Sequence, residues 1–389
     1  MASPLRVLFV ITDLCGGGAE RALLNIVRHL DSARFEPSLF VLRRTGAYWG
    51  DVPPSTRVDW GLDGPRRIVN RSWTVLRKII ALARKCDVVV GALELLPSYF
   101  AVAAAVAARK PAVAWVHSDM RRQLAIYGNK RAHRVIIRAL YPRFRKVVFP
   151  SQTAREGFEG VAVLNAAACE IISNPCDIEM IIGRSDDSLP PFADSIFRKP
   201  TILGVGTLTN AIKGFDILIQ AHSIARSWGC DHNLLVLGDG RDRSALLEMA
   251  EQLSVADSTF LPGFQPNPYP FIRAATAIAV PSRFEAFGMV VTEAMTLGTP
   301  VMVASSALGA LEVVENGVQG LVFPAEDANA LATEICEMVE NRSARENYSK
   351  RGLARAQFFA TDQIVRQWEK LLWQVAKPNS GSAVAVPAE

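Results

Sequence analysis

The 389-residue chain is half hydrophobic, enough to bury one large core or two medium ones, and its length favours two domains of roughly 150–200 residues each. No stretch reaches the ~18–20 continuous apolar residues of a membrane-spanning helix, and six scattered cysteines without a Cys-x-x-Cys pair argue for reduced thiols and against a structural zinc. The net charge of +5 is uneven, with 26 Lys/Arg against 13 Asp/Glu in residues 1–175 and 17 against 25 in the remainder, so only the first half is expected to meet an anionic surface.

The opening MASPLRVLFVITD reads as a first core strand and not as a secretory signal, which predicts a cytoplasmic protein. The glycine turn DLCGGGAER follows, then ALLNIVRHL at helical spacing, the start of an α/β unit. PSLFVLR, DVVVGAL, AVAWVHS and KVVFPS read as further buried strands, with helical patterns between several of them, as a parallel sheet requires. The pattern lapses over 174–200, where Pro, Asp and Ser mix, and the middle of that stretch reads as the interdomain connection. The alternation restarts with TILGVG, HNLLVLGDG, STFLPGF, AIAVPS, PVMVAS and GLVFP. Two successive halves, each opening on a strand and a glycine turn, predict two Rossmann-like domains facing a cleft. Their expected bounds are 1–180 and 201–360, with a linker over 181–200, an amphipathic helix over 361–377 and a disordered tail over 378–389.

The densest chemistry lies in PSRFEAFGMVVTEAMTLGTPVMVAS, residues 281–305. Glu285 sits in the loop after a strand, and Gly288 opens a helix whose first N–H groups are unpaired and carry the positive end of the dipole, a seat for a diphosphate. Glu293, further along, points toward the sugar end of a nucleotide; the plain alternative is an acid complementing the helix dipole beside a solvated one. LGDG at 237–240 is a Gly-x-Gly turn after a strand, but the third glycine of a dinucleotide fingerprint is replaced by Arg243. His117 ends the strand AVAWVH, at the edge where open α/β sheets place ligands, and Asp119 reads as a helix N-cap.

The spacing of Glu285 and Glu293 within this stretch closely resembles the signature of retaining glycosyltransferase family 4, which has the GT-B fold. VGTLTNAIKGFDILIQA, LLVLGDGRDRSALLEMA, FLPGF, ALEVVENGVQGLVFP, GGGAERALLNI and IISNPCDIEMI extend the resemblance over almost the whole chain. It implies an enzyme moving a hexosyl-type unit from a UDP- or GDP-sugar to a glycan or lipid-linked saccharide, with retention. The second domain would hold the donor, the first would hold the acceptor, and the last helix would cross back onto the first domain. By the same resemblance Glu285 lies near the donor sugar and Glu293 binds the ribose. The amides of Phe287, Gly288 and Met289 hold the diphosphate, Gly238 and Gly240 line the nucleotide pocket, and His117 faces the sugar. Gly16, Gly17 and Gly18 let backbone approach the donor phosphates and the acceptor. Lys213 neutralises the leaving diphosphate. One departure is visible: Thr207 stands where many members have an arginine, and Lys213 lies one residue further on than usual. Either Arg283 supplies the second cation or the loop takes another path.

No Asp-x-Asp pair suggests a divalent ion, so neither metal nor cofactor is expected, and Asp186 and Asp187 read as solvated linker residues. The stretch 120–148 carries nine Lys/Arg among Leu, Ile, Tyr and Phe, which fits either a peripheral helix on an anionic membrane or a solvated basic face. Nucleic acid is not an expected partner. Two rivals remain at this level, a sugar-nucleotide epimerase of the same fold and a non-catalytic sugar-nucleotide or lipid-binding subunit.

Overall fold

The computed structural model describes residues 3–65, 68–126 and 129–377; the tail expected over 378–389 lies outside them. Seven parallel strands form the first sheet: β1 (Leu5–Ile11), β2 (Phe35–Arg44), β3 (Arg57–Asp63), β4 (Val88–Gly91), β5 (Ala112–Trp115), β6 (Lys146–Phe149) and β7 (Cys169–Ile171), in the order β3-β2-β1-β4-β5-β6-β7. Strand β1 is apolar on both faces because both are covered. Val7, Phe9 and Ile11 meet helix α1 (Gly18–His29), while Leu8 and Val10 face a core shared with α2 (Ser72–Ala83), α3 (Leu96–Ala108), α4 (Met120–Ile126) and α5 (Lys130–Leu140). Asp119 accepts hydrogen bonds from the Arg121 and Arg122 N–H groups at 3.0 and 3.2 Å, capping α4.

The second sheet has six parallel strands, β8 (Thr201–Val205), β9 (Asn233–Leu237), β10 (Thr259–Gly263), β11 (Ala277–Val280), β12 (Val301–Ala304) and β13 (Leu321–Phe323), in the order β10-β9-β8-β11-β12-β13. In each sheet the first strand separates the two directions of winding: β1 lies between β2 and β4, and β8 between β9 and β11. Loops diverge at such a switch point and leave a crevice at the carboxyl ends of the strands. Both glycine turns follow these two strands. Residues 181–200 are more than a connection, because the helices Ile178–Ser185 and Ala193–Ile196 place Ile181, Ala193 and Ile196 in the core of the second sheet.

The last helix, Thr361–Ala376, buries Ile364, Val365, Trp368, Leu371, Leu372 and Val375 in the core of the first sheet. The chain returns beside its own crossing point, where the Cys176 N–H donates to the Phe359 carbonyl at 2.7 Å and the Thr361 N–H to that of Cys176 at 3.1 Å.

Two histidines are fully buried in the second domain. His222 Nδ1 lies 2.8 Å from His232 Nε2, and His222 Nε2 lies 3.0 Å from the Ser258 hydroxyl. Burial pushes His222 down to about 3, with the neighbouring His232 and Arg226 adding to the effect, and burial lowers His232 as well. A histidine lowered on folding contributes stability that is complete above its unfolded value near 6.5 and is lost as pH falls toward the folded value. The His222 contribution should be nearly complete from pH 8 to 7 and then be lost by up to about 1.4 kcal/mol per pH unit between 6 and 5. The wild type should therefore lose more stability over that range than a His222→Gln variant in which the other titrating groups are unchanged. Urea titrations of both proteins across that range test it, and an equal pH dependence in the two would contradict it.

Candidate active site

The two glycine turns face one cavity of about 580 Å³. The first domain supplies Gly16, Gly17, Gly18, Glu20, Arg21 and Tyr48; the second supplies Gly206, Thr207, Gly238, Asp239, Met289 and Glu293. A Cβ on Gly18 would stand 2.9 Å from Met289 Cγ, so the first turn reaches the second domain only because it has no side chain there. Gly238 has φ +141°, and a Cβ on it would lie 1.9 Å from the Gly206 carbonyl oxygen. The wall at the ends of β8 and β9 is therefore backbone packed on backbone. Gly240 packs behind this wall, against the backbone of Leu208, and is not part of the cavity's lining.

Beside the cavity, Lys213 Nζ lies 2.6 Å from the Glu285 carboxylate, which also accepts from the Ser282 hydroxyl at 3.3 Å. The Lys213 stem runs under the glycine turn, 3.4 Å from where a Cβ on Gly206 would be. Gly288, at φ +85°, opens the Met289–Thr296 helix without a side-chain cap. Phe287 turns its ring into the core against Phe359, at 5.5 Å between ring centres, so only its backbone is available to a ligand.

Arg283, the alternative second cation, is engaged by carboxylates of its own domain. Its guanidinium donates to both oxygens of Asp216 at 2.9 Å and to Glu326 at 2.8 Å, and Asp216 first, then Glu326, raise its already high pKa. Two carboxylates brought in by the fold neutralise it, away from the cavity lining. Among the described residues lining the cavity the cation is Arg21, whose guanidinium donates to Glu293 Oε1 across the cleft and to the Tyr48 hydroxyl.

His117 lies two residues past the end of β5, where its ring packs on Trp115, 4.4 Å between ring centres, and is not in the cavity lining. Neither ring nitrogen has a well-formed hydrogen bond, and burial pushes its pKa down to about 3 against an opposing pull from the Ala92 backbone. Its own N–H donates to the buried Glu94 at 3.0 Å. Arg21, Tyr48 and Glu20 were not expected in the site. Arg21 and Glu20 stand in GGGAER directly after the glycine turn, which is the signal that points to them; Tyr48 carries none.

Two family models match the chain: "Glycosyltransferase Family 4" over residues 16–180 and "Glycosyl transferases group 1" over residues 193–355. A Campylobacter jejuni protein, N-acetylgalactosamine-N,N'-diacetylbacillosaminyl-diphospho-undecaprenol 4-alpha-N-acetylgalactosaminyltransferase, is 26% identical over 244 residues, 63% of this chain and 64% of that protein. The lipopolysaccharide core biosynthesis glycosyltransferase LpsE of Rhizobium meliloti is 32% identical over 182 residues, 47% of this chain and 51% of that one. These matches thus span between about half and two thirds of the curated relatives. Among solved structures, Anabaena HepE in complex with UDP and glucose superposes with a TM-score of 0.79 at 20% identity, over 95% of this chain and 100% of that one. WaaG, a glycosyltransferase involved in lipopolysaccharide biosynthesis, superposes with 0.71 at 16%, over 94% and 99%.

Proposed function

Because the chain belongs to the glycosyltransferases of family 4 and group 1, we propose that it transfers a hexosyl unit from a UDP- or GDP-sugar to a glycan or lipid-linked saccharide, with retention. The observation that carries this reading is the Lys213–Glu285 pair beside the open start of the Met289–Thr296 helix, next to a cavity walled by two glycine turns. Lys213 and the amides of Phe287, Gly288 and Met289 take the diphosphate, Thr207 donates a hydroxyl, and Glu293 takes the ribose. Positive charge held at the leaving diphosphate lowers the barrier where charge develops, and no metal is required for that balance. Glu285 is already engaged by Lys213 and Ser282, which suits a carboxylate that steadies the sugar more than one that attacks it. The acceptor then enters from the leaving group's face and gives its proton to a diphosphate oxygen. His117 would reach the sugar only by turning its ring, and its two unpartnered nitrogens favour such a partner. The relatives named for a diphospho-undecaprenol saccharide and for lipopolysaccharide core support a saccharide or lipid-linked acceptor. A thermal-shift screen of nucleotide sugars tests the reading, since a ligand at 100 times its dissociation constant adds about 2.7 kcal/mol; no shift with any UDP- or GDP-sugar would sink it.

Donor binding should depend on pH through Glu20. Burial pushes this carboxyl up to about 7, with Asp13 and Glu94 adding and the N–H groups of Glu20 and Gly17 opposing. Below that value the cavity holds a neutral acid; above it, a negative charge faces an anionic donor. Affinity for a nucleotide sugar should therefore weaken as pH rises from 6 to 8, by roughly tenfold, and Glu20→Gln should remove the dependence. Calorimetry at both pH values decides it.

Docking on an anionic membrane is part of the same reading. Among the described residues no helix is long and apolar enough to cross a bilayer. Residues 64–148 hold 18 Lys/Arg and three acids: Asp87 pairs with Arg6, while Glu94 and Asp119 are buried. Helix α5 exposes Arg131, Arg134 and Arg138 beside Val135, which is 68% exposed. Each basic residue near an anionic surface contributes about 1 kcal/mol, so Arg131→Glu with Arg134→Glu should cut sedimentation with phosphatidylglycerol vesicles at least about tenfold. Retention equal to wild type would assign α5 to solvent.

A further inference from the structure

Arg21 stands on α1 of the first domain, yet its guanidinium holds Oε1 of Glu293 on the second. Its other end donates to the Tyr48 hydroxyl, and the rings of Tyr48 and Tyr269 lie 5.4 and 5.5 Å from its central carbon. The arginine side chain is 19% exposed and the glutamate 3%. Arg21 and Tyr48 line the main cavity and also a second one of about 350 Å³ behind it, so together they form the partition between the two.

A pair this buried adds little net stability, because desolvation offsets its attraction, but it fixes geometry firmly. A carboxylate offers about four lone-pair sites. Among the described residues Arg21 engages Oε1 of Glu293, and Oε2 accepts no hydrogen bond. We propose that Arg21 is a positioning residue of the donor site: clamped across the cleft on Oε1, it aims Oε2 of Glu293 at the ribose hydroxyls of the nucleotide, so that ribose recognition is complete only with the domains closed. The inference rests on Glu293 being the ribose contact. An arginine that merely joined the domains would act on every nucleotide alike, whereas one that aims a carboxylate acts on the hydroxyls.

Calorimetric titration of UDP, GDP and their 2′,3′-dideoxy counterparts into wild type, Arg21→Lys, Arg21→Met and Tyr48→Phe separates the two roles. Wild type should prefer the ribose form of its nucleotide by about 10–100-fold, the scale of a charge-assisted hydrogen bond. In Arg21→Met that preference should shrink to about threefold or less, on top of any loss common to both forms from the missing charge, and Arg21→Lys, which keeps the charge, should restore part of it. Tyr48→Phe removes a single hydroxyl, a milder change to the fold, and should halve the preference or more. A ribose preference that survives Arg21→Met and Tyr48→Phe, or an equal loss for both nucleotide forms, overturns the assignment while leaving the donor site in place. A wild type that binds nucleotide without distinguishing the dideoxy form removes Glu293 as the ribose contact and this inference with it. One that binds neither UDP nor GDP removes the donor reading itself.

Discussion

Turnover of the nucleotide sugar should fall by about 10²–10³-fold in Lys213→Met, with the fold intact. The ammonium stands 2.6 Å from Glu285 while its stem runs beneath the Gly206 turn, so it bridges the glycine turn of the second sheet and the Glu285 carboxylate. Removing it takes away the charge that the proposed reading sets against the departing diphosphate, and leaves Glu285 without its counter-ion. The side chains are 24% and 17% exposed, so loss of the pair should cost only about 1 kcal/mol of stability. Release of nucleoside diphosphate at saturating donor is the measurement. Lys213→Arg keeps the charge on a different geometry and should recover part of the rate. A methionine variant within about threefold of wild type would take Lys213 out of the leaving group's field.

Trp368→Ala should destabilise the protein by about 3–5 kcal/mol, the scale for emptying a large buried aromatic site. Trp368 is fully buried on the crossing helix, 4.5 Å between ring centres from Trp115 at the end of β5, and Trp115 in turn packs on His117. The same helix is held at its flanks by Glu369, which accepts from the Asp31 N–H at 2.9 Å, and by Arg145, which donates to the Val375 carbonyl at 2.8 Å. Denaturant titration followed by tryptophan fluorescence reads the loss. A change under about 1 kcal/mol would mean that the crossing helix lies on the first domain without belonging to its core.

Much of this molecule is legible along the chain because its cues are local. RVLFVIT and TILGVG are strands apolar on both faces, and a glycine turn after each marks the point where the backbone must approach something closely. Parallel sheets with helices on both sides follow from those patterns, and the structure shows both. Lys213 and Glu285 are visible as candidates for the same reason, each lying in a short stretch after a strand. Arg283 shows where local reading stops: Asp216 and Glu326, which neutralise it, stand 67 and 43 residues away. His117 shows it again, since its place at a strand end is readable but the rotamer that lays its ring on Trp115 is decided by packing.

What the amino-acid sequence by itself determined is the set of elements and the two switch-point turns, because hydrophobic period and glycine placement act within a few residues. What only the tertiary structure decided is which charges meet. The partner of Glu293 is 272 residues distant on the other domain, and the Tyr48 hydroxyl that steadies that partner comes from a short helix with no motif of its own. An ion pair forms where folding removes water from two opposite charges at once, and that depends on the facing of two whole domains rather than on either segment.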